Sequence, residues 1–353
     1  MYLVLCNELY CLKIIINLSI LSGLFLDNSE NFYRDKLLKK LKPINIELIT
    51  PETCFDGAKL TQMIHKQAVH LIGFEFDGTA CFRKGTKYGP NALRAVSDGL
   101  ESYSPYLSAD LAEINFYDLG NLAAVYNDRA EHELDAIQQI EQQWQSASDD
   151  FEYLFADVDL AKNNIKILTL GGEHSIAYAP LKTYLQQYDD LVVLHLDAHA
   201  DLRDGYLGFH YSHASIIRRV LDLFNHKHRL IQYGIRSGTK AEYQWMLAHK
   251  TLIHSRAEFL QVIREIPEET PIYLTLDLDY FDPSFFPGTG TPEPGGEDFH
   301  SFISLCKILQ TKHFVGCDVV ELSPEIDSTG NSSVFAAKVV RELILCLSEN
   351  NSK

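Results

Sequence analysis

Five short apolar runs, each closed by a polar cluster, constrain this chain more than any other feature. They read IKILTLGGEHS, LVVLHLDAHAD, HRLIQYGIRSG, PIYLTLDLDYFD and HFVGCDVVELSP. Stretches of helical spacing separate or follow them, among them Ile176 to Gln187, Phe299 to Gln310 and Val334 to Leu347. An earlier run, AVHLIGFEFDG (Ala68 to Gly78), enters a glycine turn, and GPNALRAVSDGL then reads as a helix with Pro90 in its first turn. ELDAIQQIEQQWQSA also has helical apolar spacing. Strands that are apolar on both faces and alternate with helices predict a mostly parallel sheet sandwiched by helices. Ligands bind such sheets beyond the carboxyl ends of the strands, and the polar clusters all lie there.

Side chains two apart on a strand share a face. In VVLHLDAHADLRDG, that rule sets Asp197, His199 and Asp201 pointing the same way from a strand end. GGEHS adds His174, and DLD adds Asp277 and Asp279, again two apart. Each piece alone has an ordinary reading, as a polar loop, a helix start or a capped strand end. Together they offer two imidazoles and four carboxylates. One divalent ion takes about four to six ligands, water included, so two ions sharing carboxylates suit this set better. Four crowded carboxylates would also repel one another without cations. Mixed nitrogen and oxygen ligation fits Mn, Co, Ni, Fe or Zn, and the oxygen-rich set favours Mn2+.

Composition removes other function classes. The formal net charge of -17 argues against a nucleic-acid partner and is compatible with a small cationic substrate. Seven scattered cysteines with no CxxC suit reduced thiols in the cytoplasm rather than a disulfide framework or a cysteine zinc site. The apolar run IIINLSILSGLFL is short for a membrane span, and its flanks do not suit a signal peptide. Residues 1–50, with a helix predicted around Phe32 to Leu41, read as an N-terminal extension; a start assigned too early would account for it, and a cleaved signal or peripheral anchor is the weaker alternative. No linker-like composition divides residues 51–353, which read as one domain. PGTGTPEPGG (Pro287 to Gly296) lacks the phosphate-loop pattern and reads as a rigid loop beside the metal site. RKGTKYGP (Arg83 to Pro90) reads as a subunit or pocket-shaping loop.

GGEHS, LDAHADLRDGYLGFHYSHAS, GIRSGTKAEY, LTLDLDYFDPSFFPGTGTPEPGG and DVVELSP, in this order, resemble the ureohydrolases, and among them the agmatinases. The resemblance covers about residues 68 to 347. It implies the arginase-like three-layer α/β/α sandwich with a mostly parallel central sheet, two Mn2+ per subunit, hydrolysis of a guanidinium to urea, and a trimer or hexamer. Carried over, it makes Asp197 and Asp277 bridging carboxylates. His174 and Asp201 become further ligands of one metal, His199 and Asp279 those of the other. His213, in YSHAS, matches the mobile-loop histidine, a proton shuttle. Glu321, in VVELSP, matches the carboxylate that faces the substrate guanidinium. A guanidinium is a poor electrophile, so its hydrolysis needs a strong nucleophile, which paired cations generate from water near neutral pH.

The loop LRDGYLGFHYSH is similar to the agmatinase version and not to the arginase loop that holds an α-carboxylate and α-amine. Agmatine, giving putrescine and urea, is therefore the expected substrate. Another guanidino compound, such as guanidinobutyrate or arginine, is the alternative, with Arg203 or Arg83 to meet a carboxylate. A one-zinc amide hydrolase of the same fold and a non-catalytic metal-dependent binding protein fit the full donor set less well. Four departures from the family pattern stand out. Glu173 replaces a common Asp and is expected to be tolerated. Thr275 keeps the hydroxyl of a common Ser. Asn121 stands where an acid is frequent. Tyr280 and Phe281 replace smaller aliphatics and are expected to narrow the pocket.

Overall fold

The computed structural model describes residues 46, 48–123 and 135–348. The chain divides into two compact units, Met1–Ile46 and Glu47–Lys353, and the fold below is that of the second. The helix expected around Phe32 to Leu41 lies outside the described residues.

Among the described residues, nine strands form one sheet. They are β1 (Lys59–Leu60), β2 (Ala68–Glu75), β5 (Phe116–Ala123), β6 (Ile165–Gly171), β7 (Val192–Leu196), β8 (Arg229–Tyr233), β9 (Leu252–Ile253), β10 (Ile272–Asp277) and β11 (Phe314–Val320). Two further short strands, β3 (Tyr103–Ser104) and β4 (Ala109–Asp110), form a separate antiparallel ribbon. The sheet order is β1-β5-β2-β6-β11-β10-β7-β8-β9, and every ladder is parallel. Every residue of β7, β10 and β11 is buried. Full burial is the mark of strands covered on both faces, which is why these runs do not alternate. Helices 89–97, 331–347, 299–309 and 256–265 pack one on the next in one layer, and helices 136–154, 178–187 and 216–221 do so in another. The fold is the expected three-layer α/β/α sandwich.

Local sequence explains the helix starts. Asp135 and Gln138 form a capping box on helix 136–154, as do Thr239 and Glu242 on helix 240–249. Pro90 sits in the first turn of helix 89–97, where its missing N–H costs nothing. β2 stops at Glu75, three residues before the run's glycine, and the chain just past it still lies beside the GG of the next strand end, where Glu173 N donates to Phe76 O at 2.9 Å. Gly172 explains that pair. A Cβ on it would lie 1.9 Å from the carbonyl oxygen of Phe76, so only glycine lets the two backbones meet.

The order of the central strands positions the chemistry. After β6 the chain skips two positions to build β7, and β10 and β11 later fill the gap. In register, Leu276 of β10 faces Leu196 of β7, and Asp277 faces Val320 of β11. The carboxyl ends of β6, β11, β10 and β7 thus lie side by side at the point where the strand order reverses.

Candidate metal centre

Each of these four adjacent strands delivers side chains to one place. β6 leads into a short 3-10 turn that opens with His174. β7 runs into Asp197, His199 and Asp201. β10 ends at Asp277, followed by Asp279. β11 is followed at once by Glu321. All of these are buried except His199, which is half-buried.

Two groups of donors share Asp197. One contains His174, His195, Asp197 and Asp201, the other Asp197, His199 and Asp279, and within each the donor atoms lie within 4.8 Å of one another. His174 Nδ1 is 3.0 Å from Asp197 Oδ2, 3.1 Å from Asp201 Oδ2 and 3.5 Å from Asp277 Oδ2. His199 Nδ1 is 2.9 Å from Asp279 Oδ2 and 3.6 Å from Asp197 Oδ1. All six residues expected to bind metal are therefore brought together. His174 Nδ1 and Asp279 Oδ2 are buried with oppositely charged groups close by but no hydrogen bond of proper geometry. Such atoms are costly unless something else satisfies them. One faces each group, and the set fits a binuclear metal site.

Neighbouring polar groups orient the donors. Thr275 donates its hydroxyl to Asp318 Oδ1 at 2.7 Å and lies 2.9 Å from His174 Nε2. With that proton spent, His174 Nε2–H donates to Thr275, which leaves Nδ1 with its lone pair toward the carboxylates. Tyr273 donates to the other oxygen of Asp318 at 2.9 Å. Thr275 thus keeps the hydroxyl role expected of it. His195, which the sequence reading passed over, is 2.8 Å from Asp197 Oδ2, and Gln232 Nε2 donates to its Nδ1 at 3.1 Å. Gln232 therefore fixes a hydrogen on His195 Nε2. That nitrogen donates to Asp197 and is not free to bind a metal. Its signal was present, since residue 195 shares the two-residue period of 197, 199 and 201, but it lay inside an apolar run.

As protein groups alone, the cluster is strongly proton-loaded. Burial opposes charge on His174, but Asp197, Asp201 and Asp277 outweigh it and hold the imidazole well above its ordinary range. His199 is raised in the same way against its burial, chiefly by Asp279. Burial and then Asp279 push Asp277 well up, and burial and then Asp197 push Asp201 up to about 6. Asp197 is held well below its usual range despite burial, by three imidazoles. The site is built to hold positive charge.

A cavity of about 290 Å³ opens over the donors, lined among others by His174, His199, Asp277, His213, Arg203 and Glu321. His213 and Glu321 thus share it with the metal-type donors. Glu321 Oε1 accepts the backbone N–H of His174 at 2.8 Å. Asp201 and Glu321 both take positive φ, 51° and 69°, a conformation that strains residues with a Cβ and clusters at functional sites. The Pro287 to Gly296 loop does lie beside the site: Thr291 lines the cavity, and Glu293 Oε1 is 3.9 Å from His199 Nε2. Arg83 donates to the carbonyls of Thr289 and Gly290, so its loop is tied to the Pro287 to Gly296 loop and its guanidinium is already engaged. Tyr280 and Phe281 do not narrow the pocket. Both are buried in the core, Tyr280 against Tyr233, and Phe281 among Phe286, Phe302 and Phe335. The chain turns at Asp279, which sends the next two side chains inward.

The arginase family model matches residues 67–346. The chain belongs to the arginase family. It is 34% identical to the agmatinase of Bacillus subtilis over 78% of this chain and 90% of that one. It is 30% identical to the guanidinobutyrase of Pseudomonas aeruginosa over 78% of this chain and 85% of that one. The crystal structure of the agmatine ureohydrolase of Thermoplasma volcanium superposes with a TM-score of 0.64 at 26% identity, covering 89% of this chain and 97% of that one. This family member is a ureohydrolase, similar to agmatinases.

Proposed function

We propose that the protein is a binuclear manganese hydrolase that converts agmatine and water to putrescine and urea. The observation that carries this reading is the convergence of His174, Asp201, Asp197, Asp277, His199 and Asp279 around two buried donor atoms that lack a hydrogen bond of proper geometry. In it, the six residues would together hold two ions, with His174 and Asp201 on the side of one, His199 and Asp279 on the side of the other, and Asp197 and Asp277 between them. Bound there, two Mn2+ supply a nucleophile from water at neutral pH and electrostatic stabilisation of the transition state.

The chain's own groups do the rest. Glu321, with one oxygen held by His174 N–H, presents the other to the substrate guanidinium in a charge-assisted hydrogen bond. Burial and then Glu173 raise the Glu321 carboxyl well above its usual range, and a cationic substrate restores its charged form. Burial and then positive charge at His199 and His174, which bound cations would supply in place of protons, lower His213 to about 4. It is therefore neutral at pH 7 and, once protonated, a ready acid toward the leaving amine.

A second reading keeps the chemistry and changes the substrate. Arg203 lines the cavity with its guanidinium 4.5 Å from the centre of the Tyr206 ring, and such a cation suits a guanidino acid. The test is urea release by Mn-loaded protein from agmatine, arginine, 4-guanidinobutyrate and 3-guanidinopropionate. Preference for agmatine is expected. Preference for a guanidino acid moves specificity to Arg203, and no urea from any of them with two metals bound rejects the proposal. The acidic chain gives nucleic acid no role, and no described helix is long and apolar enough to cross a membrane. The scattered thiols suit the cytoplasm, and the family resemblance favours a homo-oligomeric trimer or hexamer.

A further inference from the structure

Glu173 stands where the family pattern commonly has Asp, and it makes no bond to the donor cluster. It is fully buried, and its Oε1 accepts the hydroxyl of Thr79 and, at 2.7 Å, that of Ser175. The loop carrying Thr79 is docked on the same segment: Gly172 N donates to Phe74 O and Glu173 N to Phe76 O, both at 2.9 Å. The other side of Thr79 meets His213. Thr79 Oγ1 is 3.2 Å from His213 N and 3.2 Å from His213 Nδ1.

A hydroxyl has one proton and two lone pairs. Thr79 gives its proton to Glu173, so it accepts from both the backbone N–H and the Nδ1–H of His213. The hydrogen on the neutral ring is then on Nδ1, and Nε2 is left with the lone pair. An identical order, carboxylate, threonine, histidine, occurs independently at Asp318, Thr275 and His174, where it fixes a donor nitrogen.

We propose that Thr79, pinned by Glu173, is a positioning residue for His213: it fixes the ring's tautomer and orientation so that Nε2 exchanges the proton with the reacting amine. This rests on the reading of His213 as the proton shuttle. It also gives Glu173 a reason to be one methylene longer than Asp, since its carboxylate must reach the Thr79 loop.

The test uses metal-loaded protein and agmatine. Thr79→Val is expected to lower kcat about 10- to 100-fold, a fraction of what general acid–base catalysis supplies. KM should stay within about twofold, because no substrate contact is removed. Thr79→Ser should recover most of the loss. In a His213→Asn background, Thr79→Val should add nothing, because the two act as a unit. Metal content and unfolding temperature are measured on every variant. If Thr79→Val keeps wild-type kcat while His213→Asn loses it, the positioning role is overturned and the shuttle stands. If His213→Asn keeps wild-type kcat, both fall. Loss of bound metal in Thr79→Val, a loss of kcat that Ser does not recover, or one that persists beside His213→Asn, marks a packing effect and also overturns it.

Discussion

At His174 Nδ1 and His199 Nδ1 the site faces a choice between a proton and a metal, because a ligating imidazole must be neutral. Both imidazoles are raised by their carboxylates, and Asp201 titrates at about 6. Raised groups keep their protons until the pH climbs past them, so metal must displace protons at pH 7 and does so more easily as pH rises. Affinity for Mn2+ is therefore expected to increase from about pH 6 to about pH 9, with protons released on binding. Titration calorimetry in two buffers of different ionisation enthalpy reads that release directly, and equal heats in both would contradict it. The charged donors were legible in the sequence only as a set, because each cluster alone has an ordinary use while three of them at the ends of strands of one parallel sheet do not. The groups that aim them were not. Thr79 and Thr275 reach His213 and His174 across more than about a hundred residues of sequence, and nothing in their local sequence distinguishes them from other threonines.

Among the elements, helix 89–97 and β5 are joined by a buried ion pair far from the chemistry. Arg94 Nε and Nη2 donate to Asp118 at 2.7 and 2.8 Å, and both side chains are fully buried. Asp118 also accepts from Phe55 N and Gly120 N. Asp118→Ala leaves the guanidinium buried without its partner and is expected to cost about 3–5 kcal/mol of stability. Denaturant unfolding would show it, and a loss below about 1 kcal/mol would mean that water or a neighbour compensates. The same cluster explains Asn121. Its amide oxygen accepts from Arg94 and its nitrogen donates to Glu75 and Asn91; a carboxylate there could not donate to Glu75. Some long elements were readable: helix 299–309 and helix 331–347 fall close to where the spacing put them, but the eight-residue β5 and helices 240–249 and 256–265 were not marked. The two-residue strands β1, β3, β4 and β9 were not, since two residues carry no period. The misreading of Tyr280 and Phe281 has a similar cause. Sequence marks them as large and near the site, but the turn at Asp279 decides which way they face.

For the whole molecule, charge gives a test that no single residue provides. A chain of net charge -17 draws a cationic substrate toward it over the Debye length, which falls from about 30 Å at about 0.01 M salt to about 8 Å at about 0.15 M. The KM for agmatine is expected to rise roughly several-fold across that range, while that for guanidinobutyrate, which has no net charge, stays nearly flat. A salt-independent KM for agmatine would show that attraction is confined to the cavity. The fold class followed from the alternation of buried strands and helices, but the strand order did not, because nothing in the runs says that β11 lies between β6 and β10. That order has a consequence for how the chain is made. β11 is the final strand of the sheet to be synthesised, yet it pairs with β6 on one side and β10 on the other. Until residues 314–320 emerge, the strands that carry His174 and those that carry the aspartates have no ladder between them. Metal capture by donors from both halves is therefore expected late in biosynthesis, once residues 314–320 have joined the β6 side of the sheet to the β10 side.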